Sequence, residues 1–169
     1  MSLPDILAPG LRVVIAGTIA AWDRAALEHY YGGAGNSFWL LLHESGLTAR
    51  RLAPEDDHEL PAFGIGLTDL IRTEPSAPGE PPRFDVAQFL AKIRRADPGA
   101  VAFVSKTAAS SYARAAGERP PQGFGELSWT VAGRPAFVLP GPSGANNGMP
   151  LPLRIALWRD LMDFLEIVA

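Results

Sequence analysis

Several residues in the first third of the chain have the right chemistry to hold and cleave a polar ligand. Asn36 carries an amide donor and a carbonyl acceptor on one short side chain, so it can read a ligand edge that presents both. Asp23, six residues past Gly17, is the carboxylate nearest that glycine and can orient or deprotonate water. Thr18 and Ile19 follow Gly17 directly. In a turn, their backbone N–H groups form a preorganised site for developing negative charge, where one donor is worth about 2.7–4 kcal/mol. Thr18 joins Asn36 and Asp23 as a catalytic candidate through that N–H.

Each candidate has a structural rival. Asn36 can cap a helix starting at Ser37, and Asp23 a helix from Arg24 to His29. Tyr30 and Tyr31 can be aromatics at the core edge. Glu28 and His29 are further acid–base candidates, with His29 also reading as a packing or surface residue. His43 and His58 show no ligand spacing and read as structural, so no metal is expected.

The elements that must position these residues are short apolar runs alternating with amphipathic stretches. Leu11–Gly17, Ala100–Ser105 and Ala136–Leu139 read as buried parallel strands. Ile65–Ile71 is ambiguous, a strand start that can continue as helix. Phe84–Arg95, Thr107–Ala116 and Leu153–Val168 carry apolar residues at helical spacing. Two Pro/Gly-rich stretches, Glu74–Arg83 and Gly117–Gly125, read as surface loops. The fold expected is α/β, a three-layer αβα sandwich around a central, mainly parallel four-stranded sheet. Ligands of such sheets sit beyond the carboxyl ends of the strands, so the loops after Gly17, Ser105 and Leu139 should share one crevice.

Composition narrows the class. At 169 residues, the chain is expected to form one domain with its own core. The absence of cysteine excludes disulfides, thiolate zinc sites and iron–sulfur clusters. The longest apolar runs, such as Phe38–Leu42, are too short to span a bilayer, and no secretory signal is visible near Pro4 and Asp5. A cytoplasmic monomer with no membrane partner and no cofactor is expected. The net charge of −3 argues mildly against nucleic acid, yet a few well-placed cations can grip a few phosphates. Arg outnumbers Lys, which occurs only at Lys92 and Lys106; a GC-rich genome alone accounts for that bias.

Three segments carry a family resemblance. Asp5-Ile6-Leu7-Ala8-Pro9-Gly10-Leu11-Arg12-Val13-Val14 resembles the start of mismatch-specific uracil-DNA glycosylases, relatives of thymine-DNA glycosylase. Gly35-Asn36-Ser37-Phe38-Trp39 is similar to their Asn-x-Phe-Trp element, and Val138-Leu139-Pro140-Gly141-Pro142-Ser143-Gly144 to their Leu-Pro-Asn-Pro-Ser-Gly motif. Leu27-Glu28-His29-Tyr30-Tyr31 before Asn36 also resembles the hypoxanthine-DNA glycosylase branch. The resemblance spans nearly the whole chain, with two departures. Ile19 stands where the family's water-holding Asn is found in Gly-x-Asn-Pro-Gly, and Gly141 replaces the Asn of the second motif. The His found in the second motif of the main uracil-DNA glycosylases is missing too.

The resemblance implies a monofunctional glycosylase that releases uracil from DNA and leaves an abasic site. Hypoxanthine or another deaminated base is the substitute substrate. It implies a base pocket formed by Gly17, Thr18, Ile19, Tyr31, Asn36 and Phe38, with Tyr31 stacking on the flipped base and Asn36 reading its Watson–Crick edge. Phe38 also reads as core, like Trp39, Trp129 and Trp158. DNA contacts are expected from Lys106, Ser143 and Gly144, and from the minor-groove loop Ala145, Asn146 and Asn147. Asn147 or Met149 is the candidate wedge. Ile19 motivates a rival reading, a non-catalytic binder of uracil-containing or abasic DNA.

Overall fold

A computed structural model describes residues 3–19, 28–71, 76–80, 83–143 and 148–168. The first strand, β1 (Val13–Ile19), owes its central place to being apolar on both sides. Val13 and Ile15 enter one apolar cluster, Val14 and Ala16 the other, and all four are fully buried. Only a strand covered on both faces can carry such a run.

β1 pairs in parallel with β2 (Ile65–Ile71) on one side and β3 (Val101–Val104) on the other. β3 pairs in parallel with β5 (Arg134–Leu139), and β4 (Gly125–Val131) lies antiparallel on β5. The sheet is therefore five-stranded, in the order β2-β1-β3-β5-β4, which corrects the expected four. The ambiguous Ile65–Ile71 is strand throughout. β4 is the strand that the apolar-run reading passed over. It shows a period of two instead, with Leu127, Trp129 and Val131 more buried than Glu126, Ser128 and Thr130. Ala132 and Gly133, with φ of 50° and 78°, close a two-residue turn between the paired Val131 and Arg134. Two positive φ values are what a hairpin of that length demands.

Helices cover both faces. α1 (Phe38–Glu44) and α4 (Leu151–Val168) put Phe38, Leu41, Trp158 and Leu161 onto the face of Val13 and Ile15. α2 (Val86–Ala96) and α3 (Lys106–Ala116) put Phe89, Ile93, Ala109 and Tyr112 onto the other. The expected αβα sandwich is present. A 3-10 helix, Pro54–Phe63, precedes β2. Ahead of β1, Ile6 exchanges both backbone hydrogen bonds with Leu67 on the outer side of β2, at 2.9 and 2.8 Å.

Ser105, between β3 and α3, is strained. Its φ of 125° and ψ of 159° fall in a region used almost only by glycine, at a cost of about 1–3 kcal/mol. Its hydroxyl offsets part of this by accepting from Ala108 N at 3.1 Å. Replacing a Ser cap by Gly costs only a few tenths of a kcal/mol, and the added freedom of the unfolded chain about 0.4–1 kcal/mol. Ser105→Gly should therefore gain about 1 kcal/mol, read as a Tm higher by roughly 2–4 °C. An unchanged or lower Tm would mean that the cap outweighs the strain.

Candidate active site

The parallel strands β1, β2, β3 and β5 all end at the same edge of the sheet, and the candidate residues gather there. Gly17 is in register with Asp69 of β2. By strand alternation both face the α1/α4 side, as Ile15 and Leu67 do. A Cβ on Gly17 would lie 2.7 Å from Asp69 Oδ1 and 3.1 Å from the Tyr31 hydroxyl, so only glycine admits both groups at this point. Asp69 is 6% exposed.

Tyr31 is held by its neighbours. Asp57, in the 3-10 helix, accepts from Tyr30 N at 3.2 Å, and its Oδ2 lies 3.3 Å from His29 Nδ1. Trp39 donates its indole N–H to Tyr30 O at 3.2 Å, and the Tyr30 hydroxyl donates to Pro4 O at 3.1 Å. So fastened, Tyr31 adopts a φ of 52° and stacks on Phe38, with ring centroids 3.9 Å apart and planes at 21°. His29 thus packs against Asp57. Phe38 is fully buried beneath Tyr31 and against Trp158, so it backs the Tyr31 ring instead of lining a pocket.

The Tyr31 hydroxyl is buried and has no hydrogen-bond partner among the described residues. Burial, then the Asp69 carboxylate, then Tyr30 hold its pKa well above the ordinary phenol value, so it is a neutral donor. A buried donor without an acceptor costs about 1–3 kcal/mol. An incoming carbonyl oxygen would satisfy it.

Asn36 stands one residue ahead of the N-cap Ser37, and its Oδ1 accepts from Phe38 N at 2.9 Å, a turn that leads into α1. That leaves the amide N–H groups of the same side chain for a ligand. The start of α1 is tied to the second motif, since Ser37 N donates to Pro142 O at 2.8 Å. Trp158 donates to Pro140 O at 3.0 Å, and a Cβ on Gly141 would touch Ser105 Cβ at 3.5 Å. The loops after β3 and β5 and the start of α1 thus converge as expected.

The turn expected after Gly17 lies elsewhere. β1 runs on to Ile19, which is in register with Ile71. The amides of Val13 and Ile19 share the β2 side, whereas Val14 N bonds Ala100 O towards β3. Thr18 N–H faces that same β3 side, beyond the last β1–β3 pair at Ala16 and Phe103. Thr18 N–H therefore lies beyond the β1–β3 ladder, whereas Ile19 N–H faces β2.

Asp23 and its proposed helix, together with Gly144, Ala145, Asn146 and Asn147, lie outside the described residues. Ser143 is exposed. Lys106 opens α3 and is exposed, with its ammonium 4.6 Å above the Phe124 ring. No cluster of metal-binding side chains occurs among the described residues. Sequence reading missed Asp69. The available signal was a single carboxylate inside an otherwise buried strand, an arrangement that structure alone seldom explains.

An open, mainly parallel sheet covered by helices, with these groups at its strand tips, defines an α/β protein. The family model of the uracil DNA glycosylase superfamily matches residues 4–162, and the chain belongs to that superfamily. Its fold is similar to the solution NMR structure of a "putative Uracil DNA glycosylase" from Methanosarcina acetivorans. The TM-score is 0.64 at 22% identity, over 98% of this chain and 97% of that one.

Tyr31→Phe should raise the Tm by roughly 2–4 °C, about 1 kcal/mol from removing the buried hydroxyl. The gain should widen above pH 10. There the unfolded phenol ionises first while the folded one, with its raised pKa, stays protonated, so the wild type loses stability as pH rises. A lower Tm for the variant at neutral pH would show that the hydroxyl is already satisfied.

Proposed function

We propose that this protein is a monofunctional DNA glycosylase that hydrolyses the N-glycosidic bond of uracil in DNA and leaves an abasic site. The observation that carries this reading is the group around Gly17: a neutral phenol donor without a partner beside a buried carboxylate. Eversion of the nucleotide costs a few kcal/mol and is cheapest at a lesion. The base then stacks on Tyr31. Its carbonyl oxygens accept from the Tyr31 hydroxyl, the Asn36 amide and Thr18 N–H. These donors stabilise the base as it takes up the electron pair of the breaking C1′–N bond.

Water must reach C1′ as that bond opens. Ile19 has no polar side chain with which to hold it, and Asp69 is the described carboxylate at the strand tips. In this mechanism Asp69 orients the water and accepts its proton as the oxygen bonds to C1′. The negative charge of the carboxylate also favours the electron-poor sugar. No lysine of the candidate site is placed for Schiff-base chemistry, so the product is an intact strand with an abasic sugar. Lys106, Ser143 and the loop Gly144–Asn147 hold the flanking DNA.

One observation favours a second reading. Ile19, in place of the family's water-holding Asn, suits a protein that binds uracil-containing or abasic DNA without cleaving it. Oligonucleotides with one deoxyuridine or one deoxyinosine separate the cases. The glycosylase yields alkali-labile sites under single-turnover conditions, whereas a binder retards the duplex and yields none. Deoxyinosine as the better substrate would move the specificity to hypoxanthine.

Asp69→Asn should slow the single-turnover step by about 10²–10⁴-fold, with lesion binding retained. A wild-type rate would remove Asp69 from the chemistry. Asn36→Ala should reduce release and also cost about 1 kcal/mol of stability for the lost hydrogen bond to Phe38 N. Lost stability with unchanged release would leave Asn36 a structural residue alone.

A further inference from the structure

Arg154 is the least expected residue in α4. It is only 8% exposed, and its Nε and Nη1 are buried with no hydrogen-bond partner. No carboxylate among the described residues pairs with it. A guanidinium cannot shed its charge as a buried lysine can, so its burial without an acceptor is unfavourable until an anion arrives. Its position says where that anion lies. Trp158, one turn further along the same face, is fixed to Pro140 O just beyond the tip of β5. Long side chains on a helix lean towards its N-terminus. Arg154 therefore reaches towards the second-motif loop, at the ligand edge of the sheet. The N–H groups of Leu153 and Arg154 both turn back to Pro150 O, and no acidic residue stands in the first turn of α4 to compete for the cation. The helix dipole adds positive potential at the same end.

We propose that Arg154 is a preformed receptor for one backbone phosphate of the lesion-bearing strand. The proposal rests on the DNA-glycosylase reading. The phosphate supplies the counter-charge that the buried guanidinium lacks. The strand is thereby held at the second-motif loop while the base turns into the pocket over Gly17. Neutralising a phosphate releases counterions, so the contact carries a salt signature.

The test compares wild type with Arg154→Met and Arg154→Lys on a deoxyuridine duplex, by fluorescence anisotropy across a salt series. Arg154→Met should fold with an equal or higher Tm, because it removes an unpaired buried charge. It should bind roughly tenfold more weakly, with the slope of log affinity against log salt reduced by about one. Arg154→Lys should keep the slope but lose part of the affinity. Replacing single phosphates near the lesion by methylphosphonate should weaken wild type at one position to which Arg154→Met is indifferent. Inorganic phosphate provides the second arm, raising the Tm of wild type and not of Arg154→Met. Stabilisation by inorganic phosphate without any methylphosphonate-sensitive position would reduce the site to a free-anion pocket and overturn the proposal. An unchanged salt slope in Arg154→Met would overturn it as well. If Arg154→Met does not fold, Arg154→Gln takes its place, with the same reduced slope and the same indifference to the methylphosphonate position expected and a wild-type slope overturning the proposal. A wild type that binds phosphate but no lesion duplex would instead sink the glycosylase reading.

Discussion

The site depends on a contact that a single methyl group would forbid. Asp69 and Tyr31 reach the same point above β1 because Gly17 leaves it empty; a Cβ there would stand 2.7 Å from one and 3.1 Å from the other. The carboxylate is set by strand register and the phenol by the fastenings of Tyr30, so neither can easily move aside. Two polar groups are thus kept where the core would otherwise close over the strand tips. In the proposed reaction, a donor and an acceptor held in place in advance need little reorganisation, which is where electrostatic catalysis gains most.

The stacked pair Tyr31 and Phe38 shows how the core and the site share material. Phe38 belongs to the cluster that joins α1 and α4 to the sheet, with Trp39 and Trp158 edge-on around it. Tyr31 is the outer layer of that stack. A base lying on Tyr31 would rest on an aromatic column rooted in the interior, so its orientation follows from packing that also stabilises the fold.

Much of the architecture was legible in the sequence because buried parallel strands are written as apolar runs. Val13–Ala16, Val101–Val104 and Ala136–Leu139 all appear that way. β4 was missed because an edge strand announces itself by alternation, and Ala132-Gly133 is a weak turn signal beside Asn-Gly. Of the candidate site, Gly17 and Asn36 were named from their chemistry and Tyr31 through the family resemblance, and the structure sets the Tyr31 hydroxyl beside Gly17. Asp69 could not be placed, since its role depends on the register between β2 and β1, which no local pattern encodes. Arg154 was hidden for a related reason: one arginine on a helix face is ordinary until its burial and lack of an acceptor are known.

The antiparallel bridge between Ile6 and Leu67 bears on more than local order. β2 is a border of the sheet, and its outer row of amides and carbonyls would otherwise invite pairing with another chain. The amino-terminal strap occupies part of that row, and through Pro4 it also receives the Tyr30 hydroxyl. One short segment thereby covers part of a sheet border and steadies the aromatic column, so the outer edge of β2 and the Tyr30–Tyr31 pair are mechanically linked at the first few residues.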